Sequence, residues 1–223
     1  IRRGWQIESS KQLRAWFADQ GRQWLKGISL NQQVINLYQQ GKYADALPLA
    51  QQSLEIFEKT LGPEHPDVAT GLTSLARLYD AQDRYAEAEQ LYKRGLAIRE
   101  KFFGPEHPNV AECLNRLGEL SLVQGRYNEA EFLYERALVI YEKSYGRDAF
   151  LLVPVLQNLG RVHEAKIQLE RAESLWQRSL AIVEKEKGPD HPDGATIINR
   201  IGDLRRKQGD YSARGRRKIG SAP

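Results

Sequence analysis

The residues best suited to chemistry recur in one short pattern. His65, His107 and His191 each precede a proline in the stretches "GPEHPD", "GPEHPN" and "GPDHPD", with carboxylates alongside. Imidazoles beside carboxylates suit either a metal ligand set or an acid–base pair. Their spacing argues against both. The three share one place in a 42-residue period, so they would line up along successive helix layers about 10 Å apart, whereas a zinc ion needs its ligands about 2 Å away. His163, the fourth histidine, lies outside this series. Punctuation explains the motif better: a glycine ends one helix in the left-handed conformation and the proline opens the next. Asp67, Asn109 and Asp193 then cap free N–H groups, while Glu64, Glu106 and Asp190 stand near the positive helix end. The carboxylate pairs Glu87 with Glu89 and Glu129 with Glu131 also repeat with the period, at a helix start, where the macrodipole accounts for them. No phosphate-cradling glycine loop, nucleophile elbow or paired-histidine zinc motif occurs. The sequence predicts no enzyme, no cofactor and no metal.

The elements that carry this motif follow from the same period. Tyr43, Tyr85, Tyr127, Leu169 and Tyr211 are 42 residues apart at every step, giving four nearly complete units and a fifth cut short. Within a unit, Leu114, Leu117, Gly118 and Ser121 share one face of a first helix, and Ala130, Leu133, Tyr134, Ala137, Leu138 and Tyr141 form the apolar stripe of a longer second helix. The short turn holding Gly125 makes the two antiparallel, and the small residues Gly118, Ala130 and Ala137 allow close approach.

The series Leu114, Leu117, Gly118, Ser121, Gly125, Tyr127, Ala130, Tyr134 and Ala137 resembles the tetratricopeptide repeat. Leu72, Leu75, Ala76, Tyr79, Tyr85, Ala88, Tyr92 and Gly95 repeat it, as do Leu156, Leu159, Gly160, His163, Leu169, Ala172, Trp176 and Ser179. The family period is about 34 residues; the excess falls in the second helix, about two extra turns. Units of 42 residues joined by "AIREKFFGPEHPNVA" resemble the kinesin light chain type, which bacterial proteins also carry, over residues 29–211. The resemblance implies an all-α, right-handed superhelix of antiparallel helical hairpins (an α-solenoid) that binds protein partners. The fourth unit departs from the pattern: "GRDAFLLVP" replaces "GPEHPNVAE", and "AKIQLE" replaces "QGRYNE". The sequence therefore predicts a distorted unit, with its least regular joint before Pro154.

Composition limits the partners. The isoelectric point is about 9.1, but the excess charge lies at the ends: residues 1–26 hold six Lys or Arg against two acids, and residues 212–223 hold four against none. Removing those ten bases and two acids from the totals of 33 and 29 leaves 23 bases and 27 acids between residues 27 and 211. A mildly acidic body is unlike a phosphate-tracking surface, so no nucleic acid is expected. No apolar run is long enough to cross a bilayer, so no membrane is expected either. The single cysteine, Cys113, fits a reducing, cytoplasmic setting. With no methionine and Ile1 first, the chain reads as an excerpt. Residues 1–27 are assigned to a capping helix or a linker, or serve as a partner-binding helix, with Ser9 or Ser10 as cap and Leu13, Trp16, Phe17, Trp24 and Leu25 as the apolar stripe. Residues 28–211 form the repeat array and 212–223 a flexible basic tail.

The resemblance places the groove on the first helix of each unit, opposite its core stripe. Gln32, Thr73, Asn115, Gln157 and Asn199 form one hydrogen-bonding row there. Asn36, Arg77, Glu112, Glu119, Arg161, Asp203 and Arg206 lie beside it. Such a row suits the backbone of an extended peptide, and the arginines suit acidic side chains. The expected function is a protein-interaction scaffold for an extended, acidic-aromatic segment. Two alternatives are a regulatory array within a larger ATPase- or protease-linked signalling protein, and self-association through the incomplete last hairpin, with Ile198, Ile201 and Leu204 as its apolar face.

Overall fold

The computed structural model describes the backbone of residues 10–219 and the side chains of residues 17–209. Every regular element among them is helical. The chain divides between Pro105 and Glu106 into two compact units. The first contains α1 (Ser10–Gln39), α2 (Tyr43–Leu61), α3 (Pro66–Asp80) and α4 (Tyr85–Phe103). The second contains α5 (Pro108–Val123), α6 (Tyr127–Tyr145), a 3-10 turn (Phe150–Leu152), α7 (Val153–Ala165), α8 (Leu169–Lys187) and α9 (Pro192–Ile219).

The hairpins form as the periodicity predicts. The second helix of each complete hairpin, α2, α4, α6 and α8, is 19 residues long; its partner is shorter in α3, α5 and α7, at 15, 16 and 13 residues. The second helix is the longer of the two, where the sequence places the extra residues of the period. Inside the second unit each hairpin pairs a glycine with a large aromatic ring. A Cβ on Gly118 would meet the Tyr134 ring at 2.7 Å, and one on Gly160 would meet Trp176 Nε1 at 2.6 Å. Both rings are buried, so the glycine's helix-propensity cost of about 1 kcal/mol is offset by packing that no larger residue permits.

The joints match in geometry. Gly62, Gly104, Gly146 and Gly188 all have φ between 85° and 92°, and each donates its N–H to the carbonyl four residues back, from Glu58, Glu100, Glu142 and Glu184. The histidines themselves are the N-caps of the following helices. Nδ1 of His65, His107 and His191 accepts the backbone N–H of Asp67, Asn109 and Asp193 at 3.1, 3.2 and 3.2 Å. An N–H can only donate, so that ring nitrogen carries no proton. The sequence assigned the cap to the residue two places later. Those side chains do other work: Asp67 accepts Trp24 Nε1 at 2.8 Å, and Asp193 pairs with Lys187 at 2.6 Å.

The helices at the two ends run on from the array, and the fourth unit is irregular at one joint. The first helix does not break between a capping segment and the first repeat: α1 runs unbroken through Gly27, whose missing Cβ admits Phe57. Trp24 packs on the cluster of Phe57, Val68, Ala69 and Leu72. Ser9, and the side chains of Ser10, Leu13 and Trp16, lie outside the described residues. At the other end α9 continues to Ile219, through residues assigned to a tail; their side chains and residues 220–223 lie outside the described set. In the fourth unit the hairpin turn keeps its shape, because Ile167 takes φ 59° where Gly125 takes 73° in the hairpin before it. The irregularity is at the joint, as predicted before Pro154: no histidine caps α7, its N-cap Leu152 makes no side-chain bond, and the 3-10 turn fills the gap.

Candidate functional site

The predicted groove residues do not behave alike in the two units. In the first unit Thr73 is buried, and its hydroxyl donates to Ala69 O at 2.8 Å beneath Gly95. Arg77 lies over the Tyr38 ring, 4.2 Å from its centroid. The hollow beside that pair is about 10 Å³, room for about one water. Gln32 and Asn36 are exposed on α1, with Gln32 Nε2 donating to Asn36 Oδ1 at 3.3 Å.

In the second unit the same face of the helices opens into two clefts. The larger, about 420 Å³, is lined by Glu112, Asn115, Arg116 and Glu119 of α5, Tyr141 and Tyr145 of α6, and Leu151, Pro154 and Val155 at the start of α7, with Pro108 and Asn109 at its edge. Three predicted residues therefore come together here. Glu119 accepts Asn115 Nδ2 at 3.0 Å, Arg116 Nη1 at 2.9 Å and Asn158 Nδ2 at 3.5 Å. Asn115 Oδ1 is buried without a hydrogen-bond partner. Burial, and then the Glu112 carboxylate, push the Tyr141 phenol up to about 12, so it stays protonated at neutral pH. Tyr134, behind the cleft, is raised further by burial and by Glu119, and its hydroxyl has no hydrogen-bond partner.

The second cleft, about 350 Å³, is lined by Leu122, Val123 and Tyr127 on one side and by Arg161, Glu164, Ala165, Arg200 and Lys207 on the other. Glu164 is nearly buried and pairs with Lys207 Nζ at 2.5 Å and with Arg200 Nη2 at 3.0 Å, the latter an ion pair whose angles fall short of a hydrogen bond. Arg161 is exposed and donates to Asn158 Oδ1 at 3.4 Å; among the described residues it forms no ion pair. Three cations thus face one carboxylate. Gln157 is drawn inward, donating to Ser179 Oγ at 3.3 Å. Asn199 is exposed, and Asp203 and Arg206 pair with each other along α9. The predicted hydrogen-bonding row is therefore not uniform: Thr73 and Gln157 are committed within the fold.

Sequence reasoning missed Tyr145, the part that Tyr141 of the apolar stripe plays in the cleft wall, and the row formed by Arg116, Asn158 and Arg200. The period alone locates that row, since its members are 42 residues apart and each follows a predicted residue by one. The apolar face expected on α9 is divided. Ile197, Ile201 and Leu204 of α9 are buried within the chain, and Ile198 is the exposed one. The repeated carboxylates are structural: Glu87 pairs with Arg84, Glu89 with Lys93, Glu129 with Arg126 and Glu131 with Lys166. Among the described residues no group of three or more His, Cys, Asp or Glu is placed to hold a metal ion, and no helix is long and apolar enough to cross a membrane.

Antiparallel hairpins of this repeat length, small residues under aromatic rings and polar clefts on the first-helix face define an all-α repeat protein of the solenoid class. The sequence pattern of the Tetratricopeptide repeat family matches residues 27–101, 81–143, 114–167 and 152–213, and the chain belongs to that family. Solved structures agree. A protein described as a kinesin light chain with nearly identical TPR-like repeats, from Podosopora anserina, is 25% identical, with a TM-score of 0.70 over 83% of this chain and 87% of that one. BtubC (BKLC) from P. vanneervenii shares the fold at 22% identity, with a TM-score of 0.76 over 96% of this chain and 88% of that one. Repeats of this family act as scaffolds for protein–protein interaction.

Proposed function

We propose that the chain is an interaction scaffold whose second unit holds an extended segment of a partner protein across the first-helix faces of α5 and α7. The carrying observation is the pair of open clefts on that face, one between α5, α6 and the start of α7, the other around Arg161, Arg200 and Lys207. Sites of a few hundred Å³ that combine aromatic walls with a few polar groups are the usual form of a binding pocket. The cationic cleft suits an acidic side chain, with Arg161 as its charge-assisted donor. The first unit's face has Thr73 and Arg77 committed internally, which supports assigning the segment to the second unit.

The test is peptide binding by fluorescence anisotropy, with an acidic-aromatic peptide library as probe. Arg161→Ala is expected to weaken binding about tenfold, the worth of one charge-assisted hydrogen bond. Asn115→Ala should weaken it as well, while Gln32→Ala on the first unit leaves it unchanged. If the Arg161 and Asn115 variants bind as the parent does, the groove assignment is wrong.

A further inference from the structure

The larger cleft has a charge opposite to its neighbour's. Glu112 and Glu119 bring two carboxylates against one cation in the lining, Arg116, so the lining is net negative. An acidic side chain entering here would meet like charge. The aromatic wall has the complementary preference: Tyr141 and Tyr145 stand with ring centroids 6.2 Å apart, Tyr145 half-exposed, and tyrosine faces attract cations. The same unit already uses that attraction twice, with Lys187 4.7 Å from the Phe150 ring centroid and Arg200 5.9 Å from that of Trp176.

We infer that this cleft takes a basic side chain, arginine or lysine, of the bound segment, held between the Glu112 and Glu119 carboxylates and the Tyr145 ring. This rests on the interaction reading above. It makes the recognised segment mixed in charge: a basic residue in this cleft and an acidic one at Arg161. Glu119 and Arg161 occupy the same place one repeat apart. One helix layer of about 10 Å corresponds to about three residues of extended chain at about 3.3 Å each, so the two charges are separated by about three residues.

A random nonapeptide display library panned on the full chain tests this. The selected peptides are expected to carry Arg or Lys about three positions from Asp or Glu. In a selected peptide, replacing the arginine by citrulline keeps its shape and removes its charge; affinity for the parent chain should fall about tenfold. Glu112→Lys, an exposed change, should reverse the preference at that position toward acidic residues. Peptides that bind without a basic residue, or that tolerate citrulline, overturn the inference and leave the interaction reading standing. A library that yields no binder overturns both.

Discussion

The α5–α6 and α7–α8 hairpins lie in the same unit and differ where it is most instructive. Their interiors are equivalent: a glycine under a buried aromatic ring, Gly118 with Tyr134 and Gly160 with Trp176, and a second helix of 19 residues. Their ends are not. One begins at a histidine cap and turns through Gly125; the other begins at a 3-10 turn and turns through Ile167. Volume constrains the interior at every atom, because a packed core has no slack. A helix end needs only some partner for its free groups, and several chemistries supply one. The repeat thus tolerates change at its ends, and the larger cleft is found beside the end that changed.

Substitutions can break or sharpen that contrast. The largest effect is expected in the shared interior: Gly118→Ala and Gly160→Ala should each cost about 2 kcal/mol, since the added methyl drives into a rigid ring. Urea melts of the two should agree; a cheap Gly160→Ala would mean that the interiors are not equivalent. At the ends the hairpins should diverge. His107→Ala removes a cap and should cost about 1 kcal/mol, measured the same way, whereas α7 has no side-chain cap to lose. The smallest effect concerns the turn. Ile167 is β-branched, exposed and at positive φ, so Ile167→Gly should raise stability by about 0.5 to 1 kcal/mol, relief of strain outweighing the added unfolded-state entropy. The reverse change, Gly125→Ile, should lower it.

The fold was legible because repetition multiplies a weak local signal: one tyrosine at a turn says little, but Tyr43, Tyr85 and Tyr127 at equal spacing, with Leu169 and Tyr211 continuing the period, identify the hairpin. The joint before Pro154 was legible by the same logic, as a break in the pattern. The caps were not. Histidine is an uncommon N-cap, and nothing in "GPEHPD" distinguishes the imidazole from the aspartate as the acceptor until the backbone places Nδ1 3.1 Å from the N–H of Asp67. The candidate site was legible in part. Period put Glu112, Asn115 and Glu119 on one face, but the cleft also needs Tyr141 and Tyr145 from α6, and hairpin packing, not spacing, brings them there. The row at Thr73 failed because a threonine can bond its own helix at the carbonyl four residues back, which longer amides on neighbouring repeats do not do.

The ion pairs show a different layer of the design. Lys101 with Glu64, Lys143 with Glu106 and Lys185 with Asp148 join positions 37 residues apart, the last at 2.8 Å. The lysines hold the Glu64 and Asp148 carboxyls below their usual range. The third pair survives in the joint that lost its histidine, so charge register and capping vary independently. These pairs are exposed, and exposed pairs contribute little to stability individually.

The two kinds of joint also differ in how they answer to temperature. The histidine-capped α5 is started by a hydrogen bond as well as by buried Val110 and Ala111, whereas α7 starts on buried Leu152 and Val153 with no side-chain cap. Apolar burial loses strength as water cools. Both starts are therefore expected to weaken on chilling, but only α5 keeps a side-chain hydrogen bond as it does so, and the cleft edge at Leu151, Pro154 and Val155 rests on the start that has none.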